Sequence, residues 1–206
     1  MLLTPSNFHR AGGFASWMHL CCCGSSCEYC DGLLYPTANV VVSGITVPTA
    51  GDCVCPTADG GGGWKADKII DSNIDPNGSF TLASLNCGWR SVVRDSSYIS
   101  NYKQAEGDSE GDACARLGLT TPQTSGVFVD VLKTSLTTWR VYIATTSGNP
   151  NWLLFYGTAT VDSGDCTTPF IVTSSISQCD ANPFGGFPFY NVYGGGGTVS
   201  VTPVSP

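Results

Sequence analysis

Short segments in which apolar and polar residues alternate with a period of two recur along the chain. The clearest are residues 127–132 and 139–143. One face carries Val127, Val129 and Val131 in the first segment and Trp139, Val141 and Ile143 in the second, whereas the other face carries Phe128, Asp130, Leu132, Arg140 and Tyr142. Such alternation is typical of half-buried antiparallel strands. We therefore expect Asp130 to face solvent.

Further segments rich in β-branched and aromatic residues predict more short strands, for a total of about eight or nine. They are residues 38–46, 64–70, 80–85, 87–93, 152–161, 170–174 and 198–204. The sequence Asp75-Pro76-Asn77-Gly78 predicts a turn, because proline presets one φ and Asn-Gly tolerates positive φ. Residues 50–63 are predicted to be a loop, and the acidic stretch 94–125 is predicted to be a long loop or a small excursion from the main domain.

The predicted fold class is all-β: an antiparallel β-sandwich, of which a jelly-roll type is one form, with an irregular cysteine-rich N-terminal arm. No stretch of ten or more residues shows a 3.6-residue apolar period, which argues against a parallel βαβ fold. The 25 glycines and 12 prolines are typical of a chain with many turns. The expected domains are the arm, 1–35, and the sandwich, 36–206, with an acidic loop near 94–125.

Charge and apolar content narrow the classes of partner. The formal net charge is −7, with 12% charged and 42% hydrophobic residues. Net negative charge argues against a nucleic-acid partner held by phosphate contacts, and the apolar content argues against disorder. The first residues lack a secretory signal, and no apolar run is long enough to span a bilayer. We therefore expect a soluble protein without a membrane partner, made in a cytoplasm.

Eleven cysteines suggest a protein stapled by disulfides, as in secreted proteins and on virion surfaces. Five of them lie within residues 21–30, and the others are spread along the rest of the chain. The number is odd, so at least one thiol is free, paired between chains or bound to something. A link from Cys53 or Cys55 to Cys87 is plausible, and so is a link from Cys166 to Cys179, although connectivity cannot be deduced from sequence.

Metal binding is the alternative use of the cysteines in the arm. Cys23, Cys27 and Cys30 have the spacing of an iron–sulfur motif of radical enzymes, but the α/β barrel that such enzymes need is not predicted. A structural zinc could use the Cys27/Cys30 half-site, closed by Cys53 and Cys55 or by Cys23 and His19. Disulfides or free thiols are favoured over this zinc, and no cofactor is predicted. The stretch from Asn73 to Gly78 resembles part of a calcium loop, but a turn already explains its residues.

The residues needed for catalysis are sparse, so no catalytic, cofactor-binding or metal-binding residue is predicted and the chain is not expected to be an enzyme. The only histidines are His9 and His19, both in the arm, and glutamate occurs only at positions 28, 106 and 110. Nucleophilic or paired-carboxylate chemistry would therefore have to be built largely from loops.

Aromatic residues near the end of the chain are a further candidate for binding. The segment 184–194 carries five aromatics on a glycine-rich frame, which could cover the end of the sandwich, contact a protein neighbour or stack on sugar. An exposed coplanar pair would favour carbohydrate binding. The candidates for that pair are Trp64, Trp152, Tyr190 and Tyr193.

The order of several short motifs resembles a group of proteins. These are the C-x2-C arm, the segment Val-Val-Val-Ser-Gly-Ile, a cysteine loop, Asn-Gly-Ser-Phe-Thr-Leu, Cys-Gly-Trp, a late Asp-Cys and a closing Thr-Val-Ser-Val-Thr-Pro-Val. They resemble uncharacterised cysteine-rich β-proteins of tailed bacteriophages and of planctomycetes and related bacteria. The resemblance covers most of residues 27–204 and implies a structural role in a virion or on a surface.

The resulting hypothesis is a bacteriophage virion structural protein, either a capsid decoration protein or a tail, fibre or adaptor component. It would act by protein–protein assembly with other virion proteins and as a homo-oligomer, and would be located in the virion after synthesis in the host cytoplasm. The alternative hypothesis is a carbohydrate-binding surface module, with a glycan as its ligand.

Overall fold

The structure is a computed structural model, and it describes residues 27–30, 34–58, 63–71, 74–94, 98–107, 120–124, 126–145, 152–184 and 191–206. The regular elements of these residues are all β-strands. They are β1 (Thr37–Ser43), β2 (Cys53–Ala58), β3 (Trp64–Asp71), β4 (Gly78–Ser84), β5 (Gly88–Arg94), β6 (Tyr98–Gly107), β7 (Thr120–Thr124), β8 (Val127–Lys133), β9 (Thr138–Thr145), β10 (Trp152–Thr160), β11 (Phe170–Thr173), β12 (Asn191–Val192) and β13 (Thr198–Val204).

Nine of these strands form one sheet, in the order β11-β13-β1-β4-β5-β8-β9-β10-β12. Neighbours pair antiparallel, except for the short parallel pair of β10 and β12. The two ends of the antiparallel part approach each other, because the Ser175 amide donates to the Tyr156 carbonyl at 2.8 Å and Gly157 lies against Val172 and Thr173. The eight antiparallel strands are therefore nearly barrel-shaped.

A second, four-stranded antiparallel sheet has the order β2-β3-β6-β7. It corrects the prediction of a loop at 50–63, which contains β2, and it shows that the acidic stretch 94–125, predicted as a long loop or a small excursion, contains β6 and β7. Both β2 and β7 are edge strands, and they contain Pro56 and Pro122. Proline is tolerated at a sheet edge, where its missing N–H leaves no ladder bond broken, but it breaks the sequence pattern of a strand.

The all-β, antiparallel class is confirmed, whereas the strand order does not confirm the jelly-roll type. The predicted strands are found close to their expected bounds. In β1 and β13 every second residue is buried, which is the alternation expected of strands with one face on the core. The additional strand β12, only two residues long, carries too short a pattern to be predicted.

Stacked aromatic rings fill the interior of the nine-stranded sheet. Trp139 stacks between Trp89 and Phe170, with ring centroids 5.1 and 5.2 Å away. Trp89 and Trp139 are 0% and 1% exposed, and the Trp89 Nε1 donates to the Tyr35 carbonyl at 2.8 Å. Large buried rings contribute much of the apolar area of a core. This stack therefore holds β5, β9 and β11 against one another.

Strands β8 and β9 are covered on both faces, which corrects the prediction that they are half-buried. The face of β8 opposite its three core valines carries Phe128, which is 5% exposed. Phe128 belongs to a second apolar cluster with Tyr142, Ile176 and Val192, against which Phe184 packs. The segment after β11 thus lies over the outer face of these strands.

Two disulfides tie the described end of the arm to distant parts of the chain. Cys27 is bonded to Cys87 in the β4–β5 connection, and Cys30 is bonded to Cys166 in the β10–β11 connection, with Cα–Cα distances of 4.8 and 5.6 Å. The turn between them is closed by a hydrogen bond from the Cys30 amide to the Cys27 carbonyl. This short turn therefore bridges two connections that lie well apart in the strand order.

Both predicted disulfide pairings are wrong. Cys87 is bonded to Cys27 instead of to Cys53 or Cys55, and Cys166 and Cys179 are bonded to different partners instead of to each other. The partner of Cys179 is Cys55, at a Cα–Cα distance of 5.0 Å, and Cys53 is also disulfide-bonded. Sequence proximity misleads here because pairing depends on which connections meet in the folded sheet.

Removal of the bridge between Cys30 and Cys166, by the double substitution C30S/C166S, should lower the free energy of unfolding. The bridge spans 136 residues of sequence. Removing a native disulfide costs about 2–5 kcal/mol, because a link across a long loop restricts the unfolded chain. Urea unfolding under non-reducing conditions measures the loss, and a non-reducing peptide map should show the other pairs unchanged. An unaltered unfolding midpoint would contradict the pairing.

Candidate functional site

A buried row of polar side chains crosses the outer face of three neighbouring strands. Arg90, Asp130 and Tyr142 are register partners on β5, β8 and β9. Arg90 Nη2 forms an ion pair with Asp130 Oδ2 and donates to Tyr142 Oη at 2.8 Å. Asp130 is 7% exposed, so the prediction that it faces solvent is wrong. The alternation of apolar and polar residues predicts that Asp130 lies on the outer face, but it does not reveal which segment covers that face.

Aromatic rings surround both arginines of this region. The Arg90 Cζ lies 5.2 Å from the Phe128 ring centroid, and the Arg140 Cζ lies 5.4 Å from that of Phe184. Phe184 also packs edge-on against Tyr142 at 5.4 Å. Guanidinium groups over aromatic faces are attracted to the negative ring surface, more strongly where water is excluded. The row is therefore a packed cluster in which cations, rings and a carboxylate contact one another.

The electrostatics of the row favour a fixed ion pair. Burial raises the pKa of Tyr142 well above its usual value, so its hydroxyl stays protonated. Burial lowers the pKa of Arg90, but the adjacent Asp130 carboxylate and Tyr142 hydroxyl raise it by more, so the net shift is upward. The Arg90 guanidinium therefore stays charged and donates to the Asp130 carboxylate. This arrangement cross-links three strands.

A second polar cluster joins the end of β8 to the β10–β11 connection. Lys133 is 1% exposed, its Nζ donates to the Asp165 carbonyl at 2.5 Å, and the same atom lies 5.0 Å from the Trp139 ring centroid. The Asp165 carboxylate accepts bonds from the Thr167 and Thr168 amides, at 2.8 and 3.1 Å. Hydrogen bonds from Thr168 and Thr167 lower the pKa of Asp165 to about 2. This cluster anchors the connection that carries Cys166.

The residues predicted for zinc do not form a site in the described part of the chain. Within it, no group of three or more His, Cys, Asp or Glu side chains is arranged to hold a metal ion. Cys27, Cys30 and Cys55 are in disulfides, and a disulfide sulfur does not supply the thiolate that zinc requires. Cys23 and His19 lie outside the described residues, as does His9.

The calcium-like stretch is occupied by its own hydrogen bonds. The Asn77 amide N–H donates to Asp75 Oδ1 at 3.0 Å, as in a local turn. The Asn77 side chain accepts from the Ile45 amide at 3.0 Å and donates to the Ile45 carbonyl at 3.1 Å. These bonds support the interpretation as a turn, and Asn73 lies outside the described residues.

The aromatic residues predicted for sugar binding are largely in the core. Trp152 and Tyr193 are both 0% exposed and pack edge-on at 4.6 Å, so neither can stack on an external sugar. Trp64 is half-buried, and Tyr190 lies outside the described residues. In the glycine-rich segment, Phe184 and Val192 pack onto the domain itself. The described part of this segment thus covers a sheet face.

The largest feature that sequence reasoning missed is an uncharged face on the outside of the sheet. Strands β11, β13, β1 and β4 are neighbours, and none of their residues is charged. Their outward side chains are small, hydroxylated or β-branched. The exposed ones are Asn39, Val41, Ser43, Ser79, Thr81, Ala83, Ile171, Thr173 and Thr202. We call this surface the uncharged face.

The register places the outward side chains of the uncharged face in rows. Val41 is paired with Ser79 on one side and with Ser200 on the other, and Ser200 is paired with Ile171. Val41 and Ile171 are 48% and 66% exposed, so this row presents apolar surface to solvent. A lack of charge in four short segments is visible in the sequence. Only the strand order shows that these segments form one surface.

Comparison with known proteins gives no assignment. No family model, curated protein or solved structure matches the chain. Among the described residues there is also no helix with the length and apolar character to cross a membrane. The functional argument therefore depends on the uncharged face and on the disulfides.

Replacing Asp130 with asparagine should destabilise the protein by about 2–4 kcal/mol, because it leaves the Arg90 guanidinium without its counter-ion in a largely buried position. The side chains of Arg90 and Asp130 are only 24% and 10% exposed. Chemical denaturation measures the loss, with the exposed Asp162→Asn as the matched control. The double substitution R90M/D130L should recover most of the stability. If Asp130→Asn and Asp162→Asn lowered the free energy of unfolding equally, the result would contradict a structural ion pair.

Stability should fall with acid as Asp165 becomes protonated. The pKa of Asp165 is lowered from 3.8 to about 2 in the folded state. The carboxylate therefore stabilises the fold fully above pH 3.8, and this stabilisation is lost as the pH falls towards 2. Thermal unfolding followed across this range should show a smaller decline for Asp165→Asn than for the wild type. Parallel declines of the two proteins would contradict the assignment.

Proposed function

We propose that the chain is a structural protein of a bacteriophage virion, either a capsid decoration protein or a tail, fibre or adaptor component, which acts by protein–protein assembly. The observation that carries the proposal is the uncharged face, exposed on a sheet whose connections are held by disulfides. The jelly-roll type of β-sandwich, which is common among capsid proteins, is the finer fold that the proposal includes.

The uncharged face has the composition of an interface centre. Charged residues are depleted at the centres of protein interfaces, where desolvating them would be costly. The chain carries 25 charged residues in total, 9 basic and 16 acidic, yet none lies in the four adjacent strands of this face. Such a distribution favours contact with another protein at this surface.

The disulfides support use outside a cell. All seven cysteines among the described residues are disulfide-bonded. Disulfides persist in oxidising surroundings and are rare in reducing cytoplasm. A virion protein is made in the host cytoplasm and then functions outside it. Bridges formed after release would therefore stabilise this protein where it functions.

The described polar clusters are also accounted for by structural roles. The pair of Arg90 and Asp130 cross-links strands, and Lys133 is bonded to a loop carbonyl. The competing hypothesis of a carbohydrate-binding module needs an exposed aromatic pair, and two of its four candidates, Trp152 and Tyr193, are buried. No other described feature favours it, so assembly is the better-supported function.

Mass spectrometry of purified particles tests the proposal. Particles released from cells that carry this gene should contain the chain in fixed ratio to the other virion proteins, with its disulfides formed. The control is an abundant host cytosolic protein, which should be depleted through the same density gradient. Absence of the chain from particles, in cells that do express it, would refute the virion role.

A further inference from the structure

We infer that the uncharged face is a two-fold interface, on which a second copy of this chain packs sheet against sheet. The inference rests on the proposed function in assembly and identifies both the surface and the partner. Four observations carry it: the distribution of charge, the kinds of side chain, their stiffness and the extent of the face.

Net charge selects where two copies can meet. Each copy carries a formal charge of −7, so two copies repel one another at most orientations, especially at low ionic strength. Exposed acidic residues occur in the described loops and turns, including Glu28, Asp52, Asp75, Asp162 and Asp180. The uncharged face is a surface on which two copies approach without bringing like charges together.

Two-fold symmetry sets a second requirement, that a surface be complementary to itself. Near the axis each side chain meets its own copy, so a charged residue would meet the same charge. A hydroxyl both donates and accepts, and can therefore pair with another hydroxyl. Thr81, Thr202 and Ser79 supply such groups, while Val41 and Ile171 supply apolar contacts. The face thus meets the chemical condition for self-association.

Ordering this face costs little entropy. Valine, isoleucine and threonine are stiff at χ1, and serine and alanine have few rotamers to lose. Some of the polar side chains on this face are already hydrogen-bonded to each other. Thr81 Oγ1 donates to Asn39 Oδ1 at 3.0 Å, and the Ser43 and Thr198 hydroxyls are 3.2 Å apart. The surface is therefore largely preorganised for contact with a second copy.

The size of the face predicts a weak interface. Three strands of seven residues and one of four cover roughly 400 Å² of projected area per copy at ordinary strand spacings. A pair then buries roughly 800 Å², which is below the standard size of specific interfaces and typical of weak ones. We expect a dimer in the micromolar range for the free protein, which an assembly of many copies would strengthen through avidity.

Sedimentation velocity over the micromolar concentration range tests the inference. The wild-type chain should show a monomer–dimer equilibrium that tightens as salt is raised, because screening weakens the repulsion between the two acidic copies. The substitutions Val41→Lys and Ile171→Lys should each weaken the dimer by at least about tenfold, since a two-fold axis places two lysines in one interface.

Leu136→Lys is the matched control. Leu136 is 48% exposed, as is Val41, but it lies in the β8–β9 connection, away from the uncharged face. This substitution should leave the dimer constant unchanged. Far-ultraviolet circular dichroism and thermal unfolding should show that all three variants fold like the wild type. A mixture of Val41→Lys and Val41→Glu proteins should associate more tightly than either variant alone.

The outcomes separate this inference from the proposed function. A wild-type dimer that both face variants weaken and Leu136→Lys does not supports the inference. Unchanged association of the face variants, or a wild type that stays monomeric throughout, overturns it. Binding of the face to a different virion protein or to a glycan, without self-association, overturns it as well. In each case the presence or absence of the chain in particles decides the virion role independently.

Discussion

The position of the Cys27–Cys30 turn is the constraint on which the other features depend. Its two disulfides reach the β4–β5 connection through Cys87 and the β10–β11 connection through Cys166, at one end of the nearly barrel-shaped sheet. The same end contains the Trp89 and Trp139 stack and the buried Lys133, whose amide donates to the Cys87 carbonyl. Covalent links, stacked rings and a buried cation thus fix the strands relative to one another. A rigid sheet is what allows its outer face to present a defined surface.

The strands of the larger sheet were predictable because their residues alternate, and the exceptions have physical causes. The edge strands β2 and β7 contain proline, which is acceptable only where a backbone donor can be lost. The burial of Asp130 was not predictable, because the residues that cover it come from a segment some fifty positions later, around Phe184. The disulfide pairs were missed for the same reason. Alternation describes one strand, whereas pairing and coverage depend on the whole topology.

The uncharged face illustrates the same limit for function. Its strands come from four separate parts of the chain, 37–43, 78–84, 170–173 and 198–204. Each segment alone has the sequence pattern of an ordinary uncharged strand. When the topology brings them together, the missing charges become a property of one continuous surface, and this property has consequences for repulsion and self-complementarity. The absence of charge in each segment was therefore predictable from the sequence, but the surface that the segments form together was not.

The place of β13 in the sheet has a consequence for the order in which the molecule is made. Residues 198–204 lie between β1 and β11, and therefore complete pairings with β1, which leaves the ribosome much earlier, and with β11. Until they emerge, β1 and β11 lack the neighbour that joins them, and Cys30 must wait for Cys166 in the same way. The sheet is thus completed after synthesis of nearly all the described chain, through contacts between residues far apart in sequence. Such contacts are slow to form, so the nascent protein spends a comparatively long time with unpaired strand edges.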